Sequence, residues 1–574
     1  MEYRSLTVDE IARLERNGCR ADDWSRIGVV EEFTPVYIYN VEMHGEVRLG
    51  ATDKSVEVEG GMYRHSGIRN AVLCDVTIGD DCLIDNIGCH ICGYTIGDDC
   101  CIVNVGRMAA DGGATYGQGT TIAVMNEGGK SNIVLYDGLT AQMAALMAGE
   151  GVKPAITPTV PSRLIGDRAK ISNTREIVNT IVAADAEING ASRLSDCTVG
   201  EAYIGNDVIC ESTIVSTGAS VSGGAKLYSC FVGEACHIGR GFSAENSLFF
   251  ANSHLDNGEA AAAFCGPFTV SHHKASLLIG GMFSMYNAGS ATNFSNHAYK
   301  TGPIHCGVLG RGSKTASGAH IVWPATIGAF TVCLGKIDDH PDTSHLPFSY
   351  LFGSPQGTIA VPGCNAATAG TARDISKWGR RDMRPLTARH DIINLDWLNP
   401  CVVQSVIDGR RLLLRLQAEQ GDADEYTAGV VRIRRSSLIK GIERYDMLIR
   451  MFFANVLAEH ELTLPTSATG TGVWVDLAGL VAPYSEVQRL ADDIRSGHIV
   501  DAAAVEQRLV DMHALYGEYR WNFAYTAMLR YCGLDSITDE DAARITADGT
   551  AARDAWLAAA DADARRDRAM AGMD

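Results

Sequence analysis

An 18-residue repeat constrains the fold of this chain more than any other feature. The string Thr-Ile-Gly-Asp-Asp-Cys at 77–82 returns unchanged at 95–100. Around it an aliphatic residue tends to recur every six positions, at Val72, Ile78, Ile84, Ile96 and Ile102. An α-helix repeats every 3.6 residues and a strand with one exposed face every two, so neither explains this rhythm. Coils of three short strands, stacked into a solenoid, do explain it.

The residues that follow each aliphatic position fit the corner of such a coil. Glycine accepts the dihedral angles of a corner, the two aspartates can face outward, and a small residue such as Cys82 or Cys100 fits the narrow inside. This is the pattern aliphatic-Gly-x-x-small-x, and the chain resembles the hexapeptide-repeat superfamily. The resemblance implies a mainly β protein built on a left-handed parallel β-helix.

Composition sets limits on function. A chain of 574 residues with 21% charged residues and 60 glycines is typical of a stable, turn-rich globular protein. A formal charge of −20 argues against a nucleic-acid partner, although a local basic pocket for an anionic substrate remains compatible with it. No apolar run approaches membrane-spanning length and the amino terminus does not begin a signal peptide, so we expect no membrane partner and a cytoplasmic location.

Seventeen cysteines do not imply a disulfide framework in such a location. The string Cys89-His90-Ile91-Cys92 invites a zinc interpretation. However, Cys74 and Cys92 are 18 residues apart, as are Cys82 and Cys100, so both pairs are expected to stack as filler in coil columns.

The repeats divide the chain into three parts. Residues 1–47 are a lead-in with a capping box at Thr7–Glu10, residues 48–373 form the β-helix, and residues 374–574 form a helical carboxy-terminal domain that caps it. An insertion at about 110–163 interrupts the coils and is a candidate wall of a site, with Asn126 and Glu127 in its tight turn as substrate contacts. The predicted core of the later coils comprises Ile188, Ile204, Ile209, Ile214, Val221 and Ile238.

Candidate site residues concentrate between Cys265 and Tyr350, a stretch rich in histidine and basic residues and poor in acids. His297, His305 and His272 are the candidate catalytic bases, because histidine accepts protons near neutral pH. His297 and His305 flank a Gly-Pro turn and are predicted to face one pocket. His272 and His273, as strand neighbours, are predicted to face opposite sides. The candidate substrate-binding residues are His273, Lys274, Asn296, Lys300, Arg311, Ser313 and Lys314, which suit a phosphate-bearing ligand.

Three functions stay open on these residues. Superfamily resemblance implies a transferase that moves an acyl group to a sugar-like or phosphate-bearing small molecule with a histidine base, with coenzyme A as one candidate donor. The alternative is a zinc hydrolase or lyase of the γ-carbonic-anhydrase type, with His272, His297 and His305 as the ligands. The third is a non-catalytic trimeric scaffold or sugar-nucleotide-binding protein.

The motifs of this stretch also narrow the resemblance. Ser271–Lys274, Ser295–His297, Gly302–His305, Arg311–Thr315 and Leu346–Tyr350, together with Lys377-Trp378, look like an uncharacterised bacterial family of large hexapeptide-repeat proteins with a helical carboxy-terminal domain. That resemblance implies the fold and, as in many relatives, a homotrimer. The amino-terminal region has no room for a nucleotidyltransferase domain, so that activity is not expected here.

Overall fold

The 18-residue repeat folds into the coils of a parallel β-helix. The computed structural model describes residues 2–125, 131–156, 163–294 and 306–572. Ile78 lies beside Ile96, and Ile84 beside Ile102, in register on adjacent coils. The aliphatic position therefore points inward in these coils, and stacking buries it between its neighbours. The fold class is the one that the repeat predicts.

The β-helix has three faces, each a ladder of short parallel strands. The first face contains strands Thr95–Ile96, Leu164–Ile165, Ile214–Val215, Phe231–Val232, Leu248–Phe249, Phe264–Cys265, Met282–Phe283, Val308–Leu309 and Thr326–Ile327. The second contains Lys170–Ser172, Glu187–Asn189, Tyr203–Ile204, Ser220–Val221, His237–Gly239, His254–Asp256, Val270–Ser271, Lys314–Thr315, Val332–Leu334 and Tyr350–Phe352. The third contains Ile91–Cys92, Arg107–Ala109, Ile209–Glu211, Lys226–Tyr228, Ser243–Glu245, Glu259–Ala261, Leu277–Ile279, His320–Ile321 and Lys336–Ile337. The longer strands Gly67–Ile78, Glu176–Val182 and Arg193–Val199 continue around a corner from one face to another.

Parallel pairing begins inside the segment that the sequence suggests as a lead-in. Strands Arg20–Ala21 and Ile27–Val29 both pair in parallel with the long strand Ile38–Leu49. Helix α1 (Val8–Arg16) starts at Thr7 with the predicted capping box to Glu10. The coil geometry therefore reaches closer to the amino terminus than the hexapeptide pattern does.

The aspartates of the repeat explain why the corners stack. The Asp98 carboxylate accepts a hydrogen bond from the backbone N–H of Asp80 over 2.8 Å, and the Asp80 carboxylate accepts one from Ala51 over 2.8 Å. Each aspartate thus satisfies a corner N–H of the preceding coil. Asp81 and Asp99 hold positive φ angles of 57° and 56°, a conformation that aspartate tolerates better than most residues.

Four of the six predicted core residues lie inside the coils. Ile188, Ile204, Val221 and Ile238 are fully buried in the inner ladder of the second face. Ile209 is only half-buried, because Cys210 takes the inward position of that strand. Ile214 is buried on the outside of the first face, where it belongs to a separate apolar cluster. The irregular spacing of these coils shifts the inward position by one residue at both sites.

The insertion covers the outside of the first face. It forms a hairpin of strands Thr121–Ala123 and Asn132–Val134, followed by helix α2 (Ala141–Glu150). Its apolar side chains pack on an outward stripe formed by Ile214, Phe231, Leu248 and Phe264. The insertion is therefore a cover that gives this face a second core.

The carboxy-terminal region is mainly helical. Its helices are α3 (Ala369–Trp378), α4 (Pro400–Gln420), α5 (Arg435–Glu459), α6 (Tyr484–Arg495), α7 (Ala502–Ala514), α8 (Tyr516–Cys532) and α9 (Asp539–Met570). Two hairpins interrupt them, Glu425–Ala428 with Val431–Arg434 and Trp474–Leu477 with Leu480–Pro483. Strand Thr358–Val361 links the end of the second face to Val431–Arg434, so the sheet continues into this region.

Candidate functional site

A cleft of about 730 Å³ separates the second face of the β-helix from α3 and the residues that follow it. The outward ladder of the second face forms its floor, since His237, His254, Val270, Asn287 and Lys314 occupy equivalent positions on successive coils. The opposite wall comes from α3 and residues 380–383. A rigid ladder and a docked helix thus enclose one space.

Three histidines lie together on this floor. The rings of His237 and His254 pack edge to face with centroids 4.5 Å apart. The centroid of the His272 ring lies 6.0 Å from that of His254. Burial and the neighbouring histidines lower the pKa of His237 and of His272. Both imidazoles are therefore expected to be neutral at pH 7, with a lone pair available.

Asp256 lies beneath two of these rings. It follows His254 by two residues on one strand, so both side chains project to the same side. Nε2 of His254 lies 3.2 Å from Oδ2 of Asp256, and Nε2 of His237 lies 3.4 Å from Oδ1. The Asp256 side chain is only 6% exposed. A buried carboxylate therefore lies within 3.4 Å of two imidazole nitrogens at the edge of the cleft.

Basic residues dominate the facing wall. Arg373, Lys377, Arg380 and Arg381 line the cleft from α3 and its carboxy-terminal turn. Lys314 on the floor forms an ion pair with Asp374, and Arg373 also contacts Asp374. Among the residues that the structure describes, no carboxylate forms an ion pair with Lys377, Arg380 or Arg381. The cleft is therefore locally cationic in a chain whose net charge is −20.

Packing fixes this wall against the β-helix. Trp378 ends α3 and its ring lies 5.7 Å from that of Phe330 on the solenoid. Asn252 donates to the Asp382 carboxylate over 3.0 Å and accepts from the backbone N–H of Met383 over 2.8 Å. Phe268, Tyr286 and Trp378 add apolar surface to the cleft. A ligand with an anionic group and a less polar body suits such a lining.

Family comparison covers both walls of the cleft. A family model described as a domain of unknown function, DUF4954, matches residues 3–417. The chain belongs to the DUF4954 family. A second model, also a domain of unknown function (DUF6819), matches residues 458–567 in the carboxy-terminal helices. A comparison with curated proteins finds no match.

The DUF4954 region contains every residue named above for the cleft. The β-helix, α3 and most of α4 lie within residues 3–417, whereas α6, α7 and α8 lie in the second matched segment. The cleft is thus a feature of the first family's region alone.

No helix in the described parts of the chain combines the length and apolarity needed to cross a bilayer.

Two of the sequence-predicted residues line the cleft, His272 and Lys314. His273 and Lys274 are exposed beside it. The prediction that His272 and His273 face opposite sides is wrong, because the strand ends at Ser271 and their rings lie 4.6 Å apart. Asn296, His297, Lys300 and His305, with Asn126 and Glu127, lie outside the described residues.

Arg311 and Ser313 do not reach the cleft and need correction as ligand contacts. Arg311 is enclosed, with its guanidinium bonded to Asp476 over 2.7 Å and to the carbonyl of Asn394 over 2.7 Å. Ser313 is fully buried and donates to the carbonyl of Gly328 over 3.2 Å. Both side chains have structural roles, because their polar atoms already have hydrogen-bond partners inside the protein.

Sequence reasoning missed His237, His254, Asp256 and the cations of α3. His237 and His254 are 17 residues apart, which is close to one coil, so coil periodicity carries a signal for them. Asp256 lies two positions beyond His254 on the same strand, but its equivalent on the preceding coil is Gly239, so periodicity gives no signal for it. The position of α3 over the second face depends on contacts distant in sequence, and local pattern does not reveal it.

Proposed function

We propose that the cleft is the active site of a hexapeptide-repeat-type transferase, in which His272 is the general base and the substrate is a sugar-like molecule that carries phosphate. The observation that carries this proposal is the placement of His272 on the floor of a cleft whose far wall holds Lys377, Arg380 and Arg381. These cations have no carboxylate partner among the described residues and suit an anionic group.

The reaction that fits this arrangement is acyl transfer from a thioester such as an acyl-coenzyme A. An acceptor hydroxyl or amine attacks the thioester carbonyl while neutral His272 takes its proton. The carbon–sulfur bond then breaks, the acyl group stays on the acceptor, and the thiolate leaves and is protonated. The lowered pKa of His272, caused by burial and then by His273 and His254, supports its role as base at neutral pH.

Substrate capture and proton transfer are tested separately. Sugar phosphates and nucleoside-diphosphate sugars are screened by thermal shift, since a ligand that binds only the folded state raises the melting temperature. The variant Lys377→Ala/Arg380→Ala/Arg381→Ala is expected to lose that shift. An equal rise in the melting temperature of this variant would show that the anionic ligand binds outside the cleft.

Acyl transfer is then measured as free coenzyme A by mass spectrometry, with acetyl-coenzyme A and each ligand that binds. His272→Gln is expected to abolish turnover while ligand binding and melting temperature stay near those of the wild type. Full turnover in His272→Gln would refute its role as base.

Trimer formation stays a prediction from the superfamily resemblance. Sedimentation velocity of the purified chain checks it directly: three times 61.4 kDa is expected for the main species. The proposed chemistry uses residues of one chain only, so it does not depend on the outcome.

A further inference from the structure

Two imidazole nitrogens and one carboxylate converge at the edge of the cleft. The candidate ligand atoms of His237, His254 and Asp256 all lie within 4.8 Å of one another. We propose that these three side chains form a binding site for a divalent metal ion, Zn²⁺ by the chemistry of its ligands. This proposal goes beyond the transferase function and does not depend on it.

The spacing of the atoms is compatible with a bound metal ion. A tetrahedral ion with bonds of about 2.0–2.1 Å has ligand atoms about 3.3–3.4 Å apart. Nε2 of His237 lies 3.4 Å from Asp256 Oδ1, and Nε2 of His254 lies 3.2 Å from Oδ2. A charge-assisted hydrogen bond between nitrogen and carboxylate would shorten to about 2.7–2.9 Å. Each nitrogen–oxygen contact is longer than such a bond, and the candidate ligand atoms of all three side chains lie within 4.8 Å of one another.

The Asp256 carboxylate has capacity left for such an ion. Its Oδ1 atom is buried and accepts no hydrogen bond from any residue that the structure describes. Buried polar atoms normally have a partner, so this atom calls for one. Oδ1 lies 3.4 Å from Nε2 of His237, so these two atoms face the same small space and are two of the candidate ligands.

Gly239 keeps that space open. A Cβ atom at this position would lie 2.8 Å from Asp256 Oδ1 and 3.1 Å from His237 Nε2. Glycine is not required there by a positive φ angle, so its lack of a side chain is what matters. A side chain at residue 239 would occupy the volume where the ligand atoms converge.

Arg240 competes with a metal ion for the Asp256 carboxylate. Its Nε lies 3.4 Å from Asp256 Oδ2, but its side chain is 76% exposed. An exposed arginine gains little from a surface ion pair and can turn away from the carboxylate. Arg240 is therefore compatible with a bound ion, as a residue that contacts the ligand Asp256 from outside.

The donor set indicates the type of ion and what it would do. Imidazole nitrogens with one carboxylate oxygen suit zinc among the common divalent ions, whereas Mg²⁺ and Ca²⁺ prefer oxygen ligands alone. Three protein ligands leave a fourth position for water or substrate, as in catalytic zinc sites. His237 and His254 line the cleft, so that position would open toward the ligand space.

The test is Zn²⁺ titration of the full chain after treatment with a chelator, by isothermal calorimetry. The wild type is expected to bind one Zn²⁺ per chain at this site. Asp256→Asn, which weakens a ligand, and Gly239→Ala, which fills the space, are each expected to bind at least about 100-fold more weakly. His272→Gln is the matched control: it changes a neighbouring histidine that is not a ligand, and its affinity is expected to equal that of the wild type.

Cobalt substitution separates this site from adventitious binding by the many cysteines. Co²⁺ held by nitrogen and oxygen shows visible d–d bands without the near-ultraviolet charge transfer that a thiolate ligand adds. Circular dichroism first checks that Asp256→Asn and Gly239→Ala are folded. The proposal is overturned if the wild type binds no Zn²⁺, or if the two folded variants bind it as tightly as the wild type. It is also overturned if thiolate charge transfer dominates the Co²⁺ spectrum. The transferase proposal fails independently, on turnover by His272→Gln.

Discussion

Arg311 and Asp476 form an enclosed ion pair that joins the β-helix to the carboxy-terminal region, with Nε donating to Oδ2 over 2.7 Å. The Arg311 side chain is 2% exposed. Its other nitrogens donate to the carbonyls of Asn394 over 2.7 Å and Gly479 over 3.3 Å. One guanidinium therefore satisfies three acceptors, one at Asn394 and two in the hairpin that contains Asp476 and Gly479.

Replacing Arg311 by Met is expected to lower the free energy of unfolding by about 3–5 kcal/mol, because the Asp476 carboxylate keeps its charge and loses its partner. Denaturant unfolding followed by tryptophan fluorescence measures the change. Arg168→Met is the control, since Arg168 and Asp185 form an exposed pair with side chains 55% and 45% exposed. Its loss is expected to stay below about 1 kcal/mol. Equal effects of the two variants would mean that Arg311 does not hold the two regions together.

The same pair marks the limit of prediction from sequence. The coils were predictable because their signal is local: Ile78 and Ile96 recur at the repeat distance and stack on each other. The partner of Arg311 lies 165 positions away on a hairpin, and no periodicity connects them. A basic residue in a polar stretch therefore predicts a ligand contact, although Arg311 binds the protein's own carboxylate.

The cleft likewise has one part that the sequence reveals and one part that it does not. Its floor follows the coil rhythm, and His237, His254 and Lys314 share one ladder that a search at coil spacing can detect. Its wall depends on the docking of α3, which Trp378 and Asn252 fix through contacts across the fold. Charge pattern alone predicts Lys314 and His272 in the cleft, but it does not reveal Lys377, Arg380 and Arg381 of the facing wall.

Asp391 links the insertion to the β-helix through its carboxylate. Oδ1 accepts from the backbone N–H of Ala141 at the start of α2 over 2.7 Å, and Oδ2 accepts from that of Ala251 over 2.9 Å. Complete burial, and then the nearby carboxylate of Glu234, raise the pKa of Asp391 to about 6. The folded protein therefore holds a proton here that the unfolded chain releases at its ordinary pKa of 3.8.

Because that folded-state pKa is raised, the stabilising contribution of Asp391 is complete below pH 3.8 and is lost as pH rises to about 6. Relative to Asp391→Asn, which does not titrate, the wild type is expected to lose about 2 kcal/mol of stability between pH 4 and pH 7. Denaturant unfolding of both proteins at intervals of pH measures the difference, in which titrating groups remote from Asp391 cancel. A difference that stays constant with pH, or that grows in favour of the wild type as pH rises, would contradict the assignment.

The outward stripe of the first face gives a prediction about local stability. Phe264 is fully buried in the cluster beneath the insertion, and its ring lies 5.3 Å from that of Phe250. Phe264→Ala is expected to destabilise this cluster by about 3–5 kcal/mol through lost burial and a residual cavity. Hydrogen exchange is expected to speed up in strands Thr121–Ala123 and Asn132–Val134 and in α2 before it changes in the coils at 181–204.

Leu255→Ala provides the contrast, because Leu255 points into the coil interior beside Ile238. Its loss is expected to speed exchange in the neighbouring coils rather than in the insertion. If both variants loosen the same peptides, the two apolar clusters behave as a single cooperative unit.

Cysteine reactivity tests the interior of the β-helix. Burial raises the pKa of the Cys197, Cys230 and Cys333 thiols to about 12, and each is fully buried. Cys89 and Cys306 are exposed. Since the thiolate is the reactive form, alkylation at pH 8 is expected to modify the two exposed residues first and to leave the three buried thiols unmodified in the folded protein.

Peptide mass spectrometry after timed exposure to iodoacetamide measures each rate, and the same reaction in guanidinium chloride supplies the unfolded reference, in which all 17 cysteines are expected to react. Protection arises from both the high pKa and the closed coil, so it should disappear only when the coils open. Alkylation of Cys230 in the native protein at a rate near that of Cys89 would show that the coils open far more readily than their stacked packing implies.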